Sequence, residues 1–273
     1  MRDRIGRLFR EEGISLFGVL DAEKVPTVKP HLLARAGLDP RAYLLFAVPY
    51  FRGVGENLSA YATSRDYHLY LGSLGRRLCA ALAELLPHRR FVAFSDHSPI
   101  DERQAAARAG LGILGRNGLL ITKPYSSLVF LGEIATDAEP EELGGETAVE
   151  VRSCENCGLC LRACPTGILR GEGDVCLSAL TQKKGALSEE ERRTIRLHGS
   201  AWGCDLCQTA CPHTKRAIDS GSAISPIPFF AEGRITRLTT ALLDGMTEEE
   251  FGTRAFAWRG RETVRRNTEI LEE

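Results

Sequence analysis

Eight of the nine cysteines in this 273-residue chain stand in two short runs, each ending in a Cys-Pro step. The first run is Cys154-x2-Cys157-x2-Cys160-x3-Cys164-Pro165. The second is Cys176 and then, after the 27 residues 177–203, Cys204-x2-Cys207-x3-Cys211-Pro212. The first spacing is the one with which bacterial ferredoxins hold [4Fe-4S] cubanes, three thiolates on one cluster and the fourth crossing to the other. A cubane offers irons at tetrahedral corners, so three ligands from one loop must splay apart while the fourth arrives from elsewhere. Crossing over gives Cys154, Cys157, Cys160 and Cys211 to one cluster, and Cys164, Cys176, Cys204 and Cys207 to the other. Structural zinc and disulfides are the competing uses of paired cysteines, but zinc needs only two pairs and does not call for the Cys-x3-Cys-Pro step. Cys79 differs: in RRLCAALAELL it lies among Leu78 and Leu82 at helical spacing and reads as a buried, inert thiol.

With 43% hydrophobic and 26% charged residues, the chain is long enough for one sizeable core and a smaller appended domain. A formal charge of −1 exerts no global pull toward nucleic acid or membrane. No apolar run reaches signal-peptide or bilayer length, so a cytoplasmic protein without membrane association is expected. Thiolates stay reduced there and open to iron.

Hydrophobic periodicity predicts a helix over 1–12, strands over 14–20 and 42–48, a long helix over 67–86 closed by Pro87, and a strand over 91–94. A helix over 102–109 and strands over 119–121 and 128–134 follow. This alternation indicates a layered α/β or α+β domain spanning 1–136. Residues 137–150 carry six carboxylates, a proline and two adjacent glycines, and are expected to be an acidic linker. A ferredoxin-like double-cluster domain is expected over 151–215 and a short helical tail over 216–273, with 216–225 as loop and helices over 236–243, 247–256 and 262–271.

Two cubanes alone make an electron carrier, but the preceding domain of about 135 residues implies a consumer of the electrons. The block SDHSPIDERQAAARAGLGILGRNGLLITKPYSSLVFLGEI (95–134), RDYH (65–68), CLSALTQKKG (176–185), WGCDLCQTACP (202–212) and AWRGRETVRRN (257–267) resemble, in the same order, the epoxyqueuosine reductase family. The resemblance spans about residues 43–267. It implies a cobalamin-dependent iron–sulfur oxidoreductase that makes the last reduction in the synthesis of the tRNA nucleoside queuosine. It also implies an external electron donor of flavodoxin or ferredoxin type, and a monomer is expected.

Position by position, the resemblance makes Asp96 of DHSPIDER the proton donor and a cofactor contact, with Arg103 at the matching arginine. His97 replaces the family's threonine or serine. Arg108-Ala109-Gly110-Leu111-Gly112 and Arg116-Asn117 match further family elements. Ser127, Ser178 and Asp205 fall at cobalamin contacts, and Lys184 matches a lysine associated with tRNA. The family's C-terminal helical repeats are expected to be missing after Arg266-Asn267, which weakens tRNA as the partner. A two-cluster electron carrier, or a corrinoid reductase acting on a small molecule or a protein, is the alternative.

Without the family, Asp96 after the apolar strand FVAF reads equally as a helix N-cap. Gly110, Gly112 and Gly115 lack the strand–glycine–helix order of a dinucleotide loop. Asp66-Tyr67-His68 departs from the Asp-x-His-x-x-Gly pattern that ligates cobalt, because Leu71 stands where glycine is required. Any cobalamin is therefore expected to bind without a histidine ligand. Lys183, Lys184, Arg192, Arg193 and Arg196, with Arg254, Arg259, Arg261, Arg265 and Arg266, offer a basic patch or merely solvated helix faces.

Overall fold

A computed structural model describes residues 1–273, and the chain divides into two units: Met1–Tyr50 with Tyr70–Asn156, and Phe51–Leu69 with Cys157–Glu273. The first contains α1 (Arg2–Glu11), β1 (Leu16–Asp21), α2 (Pro30–Ala36), β2 (Ala42–Pro49), most of α3 (Tyr67–Leu85), β3 (Phe91–Phe94), α4 (Glu102–Arg108), β4 (Gly112–Leu114), β5 (Leu120–Thr122) and β6 (Val129–Thr136). The main sheet has the order β1-β2-β6-β3, and every neighbouring pair is antiparallel. The unit is therefore α+β. β4 and β5 form a separate hairpin.

All eight residues of β2 are buried, which explains their unbroken apolar run: the strand is central and covered on both faces. One face takes α1, where Phe9 packs on Phe46 with ring centroids 5.4 Å apart. On that side β6 presents Gly132, where a Cβ would lie 2.5 Å from the Phe46 ring. The other face, with Tyr43, Leu45, Ala47 and Ala135, packs against α4 through Ala105, Ala106 and Ala107.

Residues 137–150 are not a free linker. Ala138 and Leu143 are fully buried. Thr147 N donates to Val19 O at 2.8 Å and its hydroxyl to Ala109 O at 2.9 Å, while Lys24 pairs with Glu146. The acidic composition marks a solvent-facing strap whose few apolar residues anchor it.

The second unit holds α5 (Leu159–Arg162), α6 (Leu177–Thr181), α7 (Glu189–His198), α8 (Leu206–Thr209), α9 (Pro212–Asp219), α10 (Thr240–Gly245), α11 (Glu248–Gly252) and α12 (Arg261–Glu272). α7 opens with a capping box, Ser188 with Glu191, and closes on left-handed Gly199. Residues 216–219, expected as loop, continue α9 instead. Residues 51–69, expected within the first domain, form part of this unit: Ser59 N donates to Trp202 O at 2.8 Å and Asp66 N to Thr253 O at 2.7 Å. The tail belongs here too. Trp202 is fully buried with Leu58, Leu243, Phe251, Phe256 and Val264. No helix is long and apolar enough to cross a membrane.

Candidate active site and cluster centre

The two compact cysteine runs fold alike. Cys160 lies on α5 and Cys207 on α8, each in a four-residue helix beginning with leucine, and the two helices pack together. Left-handed Asn156 and Gly158 turn the chain on either side of Cys157. Cys154 is fixed at the end of the first unit, its N–H donating to Leu114 O at 2.9 Å. Cys176 caps α6 and Cys211 caps α9.

None of the nine cysteines is paired in a disulfide. Burial, with smaller contributions from the charges of Cys176, Asp205 and Cys164 and against the Leu206 N–H, pushes the Cys204 thiol up to about 11, so Cys176 and Cys164 lie within electrostatic range of it. The three cysteines come from three separate segments and belong to one of the two expected quartets. Burial would also raise Cys164, but the N–H groups of Leu169, Thr166 and Gly167 and the Thr166 hydroxyl outweigh it and hold this thiol below its ordinary value. Backbone donors aimed at sulfur are what a cluster thiolate requires. No three His, Cys, Asp or Glu side chains converge on a single-ion site.

Gly203 precedes this centre with φ +75°, and a Cβ there would lie 2.5 Å from Ser59 Cβ. Asp205 is fully engaged: Ser59 Oγ donates at 2.5 Å, Ala60 N at 2.6 Å and Gln208 Nε2 at 3.1 Å. Burial pushes its carboxyl up while these donors oppose the shift. Asp205 thus ties 59–60 to the second cysteine run. A cavity of about 270 Å³ opens beside it, lined by Asn57, Ser59, Leu177, Ser200, Cys204 and Asp205. Ser178, half-buried on α6, accepts from Gln182 at 3.2 Å.

In the first unit, Asp96 follows β3 in a left-handed turn, φ +58°, that aspartate tolerates better than most residues. It is not the cap of α4. Asp101 is, accepting from Arg103 N at 3.1 Å and Gln104 N at 3.2 Å. Nor is Asp96 buried, as an acid kept protonated by apolar surroundings is expected to be; its side chain is exposed. Arg103 donates to Gly118 O at 2.9 Å, and Ser127 is 6% exposed before β6. His68 starts α3 with Nδ1 2.8 Å from Asp66 Oδ1, so its ring is held locally.

The apolar content of β6 hides a feature that sequence reading passed over. Glu133 is 0% exposed, and neither carboxylate oxygen has a donor in good hydrogen-bond geometry, although the Ser98 hydroxyl stands near enough to act on it. It lies opposite Leu45 and Phe94 on the face packed by α4. Glu102, in the first turn of α4, stands beside it with Oε1 likewise unpartnered. Burial raises Glu133 well above the carboxylate range, the charges of Glu102 and Asp96 raise it further, and the Ser98 hydroxyl opposes the rise without cancelling it. Burial also raises Glu102, against hydrogen bonds from the Glu133 carboxyl and the Asp96 backbone N–H. The signal was a carboxylate at an inward position of a covered strand.

Most of the tail's basic residues are committed internally. Arg266 donates to Lys183 O at 2.8 Å and Gly185 O at 2.5 Å, Arg265 pairs with Asp244 and Glu269, and Arg192 and Arg196 pair with Glu273. Lys184 is exposed and lines a cavity of about 580 Å³ with Arg259, Arg261 and Arg266.

A family profile described as a 4Fe-4S double cluster binding domain matches residues 153–214. The chain is 31% identical to an epoxyqueuosine reductase of Listeria monocytogenes over 97% of its own length and 72% of the relative's. It is 35% identical to that of Lactococcus garvieae, of which it spans 57%. The solved epoxyqueuosine reductase of Streptococcus thermophilus is 25% identical, with a TM-score of 0.74, covering 99% of this chain and 80% of that one.

Proposed function

Because the chain belongs to the epoxyqueuosine reductase family, oxidoreductases with a double iron–sulfur domain, we propose that it reduces epoxyqueuosine to queuosine in tRNA with the help of cobalamin. The observation that carries this reading is the pair of cysteine runs, whose short helices α5 and α8 pack together within the segment matched by the double-cluster profile. Cys154, Cys157, Cys160 and Cys211 would ligate one cubane, and Cys164, Cys176, Cys204 and Cys207 the other. Clusters held there would take electrons singly from an external donor of flavodoxin or ferredoxin type.

The available side chains suit a corrinoid held by hydrogen bonds, since the one histidine in a cobalt-ligand-like motif, His68, is occupied by Asp66. Ser127, Ser178 and the Arg103 guanidinium would hold it, and Asp205 would shape its surroundings through the 59–60 segment. The chemistry cobalamin supplies when bound is stepwise delivery of electrons to the substrate. Asp96 donates a proton to the departing epoxide oxygen. Its exposed position in a strained turn lets the carboxyl meet a substrate too large to be swallowed. Lys184 contributes to the grip on RNA phosphates.

Anaerobically reconstituted protein is expected to carry about eight irons per chain. Given a chemical reductant, cobalamin and an epoxyqueuosine-bearing anticodon stem-loop, it should form queuosine, read by nucleoside mass spectrometry. Intact clusters and bound corrinoid without product would remove tRNA as the substrate.

A further inference from the structure

Converting an epoxide to an alkene removes the oxygen as water, so each turnover consumes two electrons and two protons. The electrons arrive singly from a low-potential one-electron donor. One aspartate carries one proton, and the second needs a source.

Glu102 and Glu133 have the features of that source. As carboxylates, Glu133 Oε1, Glu133 Oε2 and Glu102 Oε1 are buried acceptors without a donor in good hydrogen-bond geometry, the Ser98 hydroxyl beside Glu133 being too poorly placed to satisfy it, an arrangement that interiors rarely retain. The two side chains stand within hydrogen-bonding reach of each other. A single proton between them supplies the missing donor and removes one of two adjacent buried charges. The groups around the pair come from every side: Asp96 and Ser98 from the turn after β3, Tyr43 from β2, and Lys29 ahead of α2. Lys29 is the only cation among them. Asp96 itself is linked to the pair through its backbone N–H, which donates to Glu102.

We propose that Glu102 and Glu133 share one proton behind the Asp96 turn and return it to Asp96 after that residue has protonated the substrate, making the pair the second proton source of the reduction. The first proton passes from Asp96 to the epoxide oxygen as its C–O bond breaks. The second passes from the pair to Asp96 and on to the departing hydroxyl, which leaves as water. Solvent then returns two protons, one to Asp96 and one to the pair. This rests on the reading of Asp96 as the acid, and the two glutamates act through it.

The test uses the full chain with clusters reconstituted. Infrared difference spectra with 13C-labelled glutamate should show a protonated glutamate carboxyl at neutral pH in the wild type and in Asp96→Asn. The signal should be lost in Glu133→Gln and shifted in frequency in Glu102→Gln, which keeps the buried Glu133 carboxyl but removes its partner. With reductant, cobalamin and the modified stem-loop, Glu133→Gln should turn over about 10- to 100-fold more slowly, with the alkaline limb of its pH–rate profile displaced. The absence of a protonated glutamate in the wild type overturns the proposal, as does a Glu133→Gln enzyme with the wild-type rate and pH profile. Should Glu133→Gln fail to fold, the wild-type spectrum and Glu102→Gln, altered at the edge of α4, decide. Full turnover by Asp96→Asn with the glutamate signal intact overturns the relay through the failure of Asp96 itself, a result distinct from a missing signal.

Discussion

Burial pushes the Cys79 thiol up to about 11, against a weaker hydrogen bond from Ala93, because its cavity is walled by Phe46, Leu71 and Phe91. Thiolate is the reactive form, so Cys79 should resist alkylation in the native protein at neutral pH, by peptide mass spectrometry, and Cys79→Ser should leave the iron content unchanged. Glu133 gives a prediction of opposite consequence. Its folded value is raised above the ordinary 4.5, so its neutral form suits the core; the stability this allows is fully present below that value and is lost as pH rises through the raised one. Gln has no charge to bury. Thermal melts of Glu133→Gln should therefore gain on the wild type steadily as pH increases from mildly acid to alkaline, and a gap independent of pH would contradict the assignment. The double-cluster domain was legible because cluster geometry dictates the cysteine spacing, and the family profile over 153–214 covers both runs. Glu133 was legible only in principle, since its oddity appears once the strand is known to be covered on both faces.

At the scale of elements, Asn267 on α12 shows how the tail is locked to the cysteine segments. It is fully buried, and its amide donates to Thr181 O at 2.7 Å and Ala201 O at 2.9 Å, the ends of α6 and of the chain entering the second cysteine run. Asn267→Ala leaves both carbonyls without donors and should cost roughly 2–4 kcal/mol. A urea titration of the second unit's transition, followed by Trp202 fluorescence, measures it. The Arg-Asn pair thus works at least as a brace between helices, with Arg266 holding the 183–185 turn. In the tail, α10 starts four residues after its expected start, α11 ends four residues before its expected end, and α7 was not anticipated, whereas in the first unit α1, α3, α4 and the strands of the main sheet announced themselves through periodicity within about two residues of their ends. α2 did not, because seven residues are too short to show a repeat, although its Pro30 start and left-handed Gly37 stop were visible signals. The 137–150 strap was misjudged for a different reason: most of its residues do face water, and two buried apolar side chains hold the rest.

The whole chain is close to neutral, so any attraction to RNA must come from a local surface. With so many tail arginines spent on carboxylates and carbonyls, the exposed Lys184 and the half-buried Arg259 beside it carry that burden. Stem-loop affinity, measured by fluorescence anisotropy, should fall with added salt, and Lys184→Ala should lower both the affinity and the salt slope, the latter by about one. An unchanged slope would place the phosphate contacts elsewhere.

The detour of residues 51–69 carries a further consequence. Asn57, Ser59 and Ala60 meet their partners Ala201, Trp202 and Asp205 only after more than a hundred further residues have been made. During vectorial synthesis this stretch must wait, unpaired, until the second cysteine run emerges from the ribosome. The cluster module is consequently not a cassette: cut out at residue 151, it would leave Asp205 bereft of two of its donors and a bare edge beside Trp202. The iron-carrying half of this protein is sewn into the chain at two points, and its assembly is scheduled by the later one.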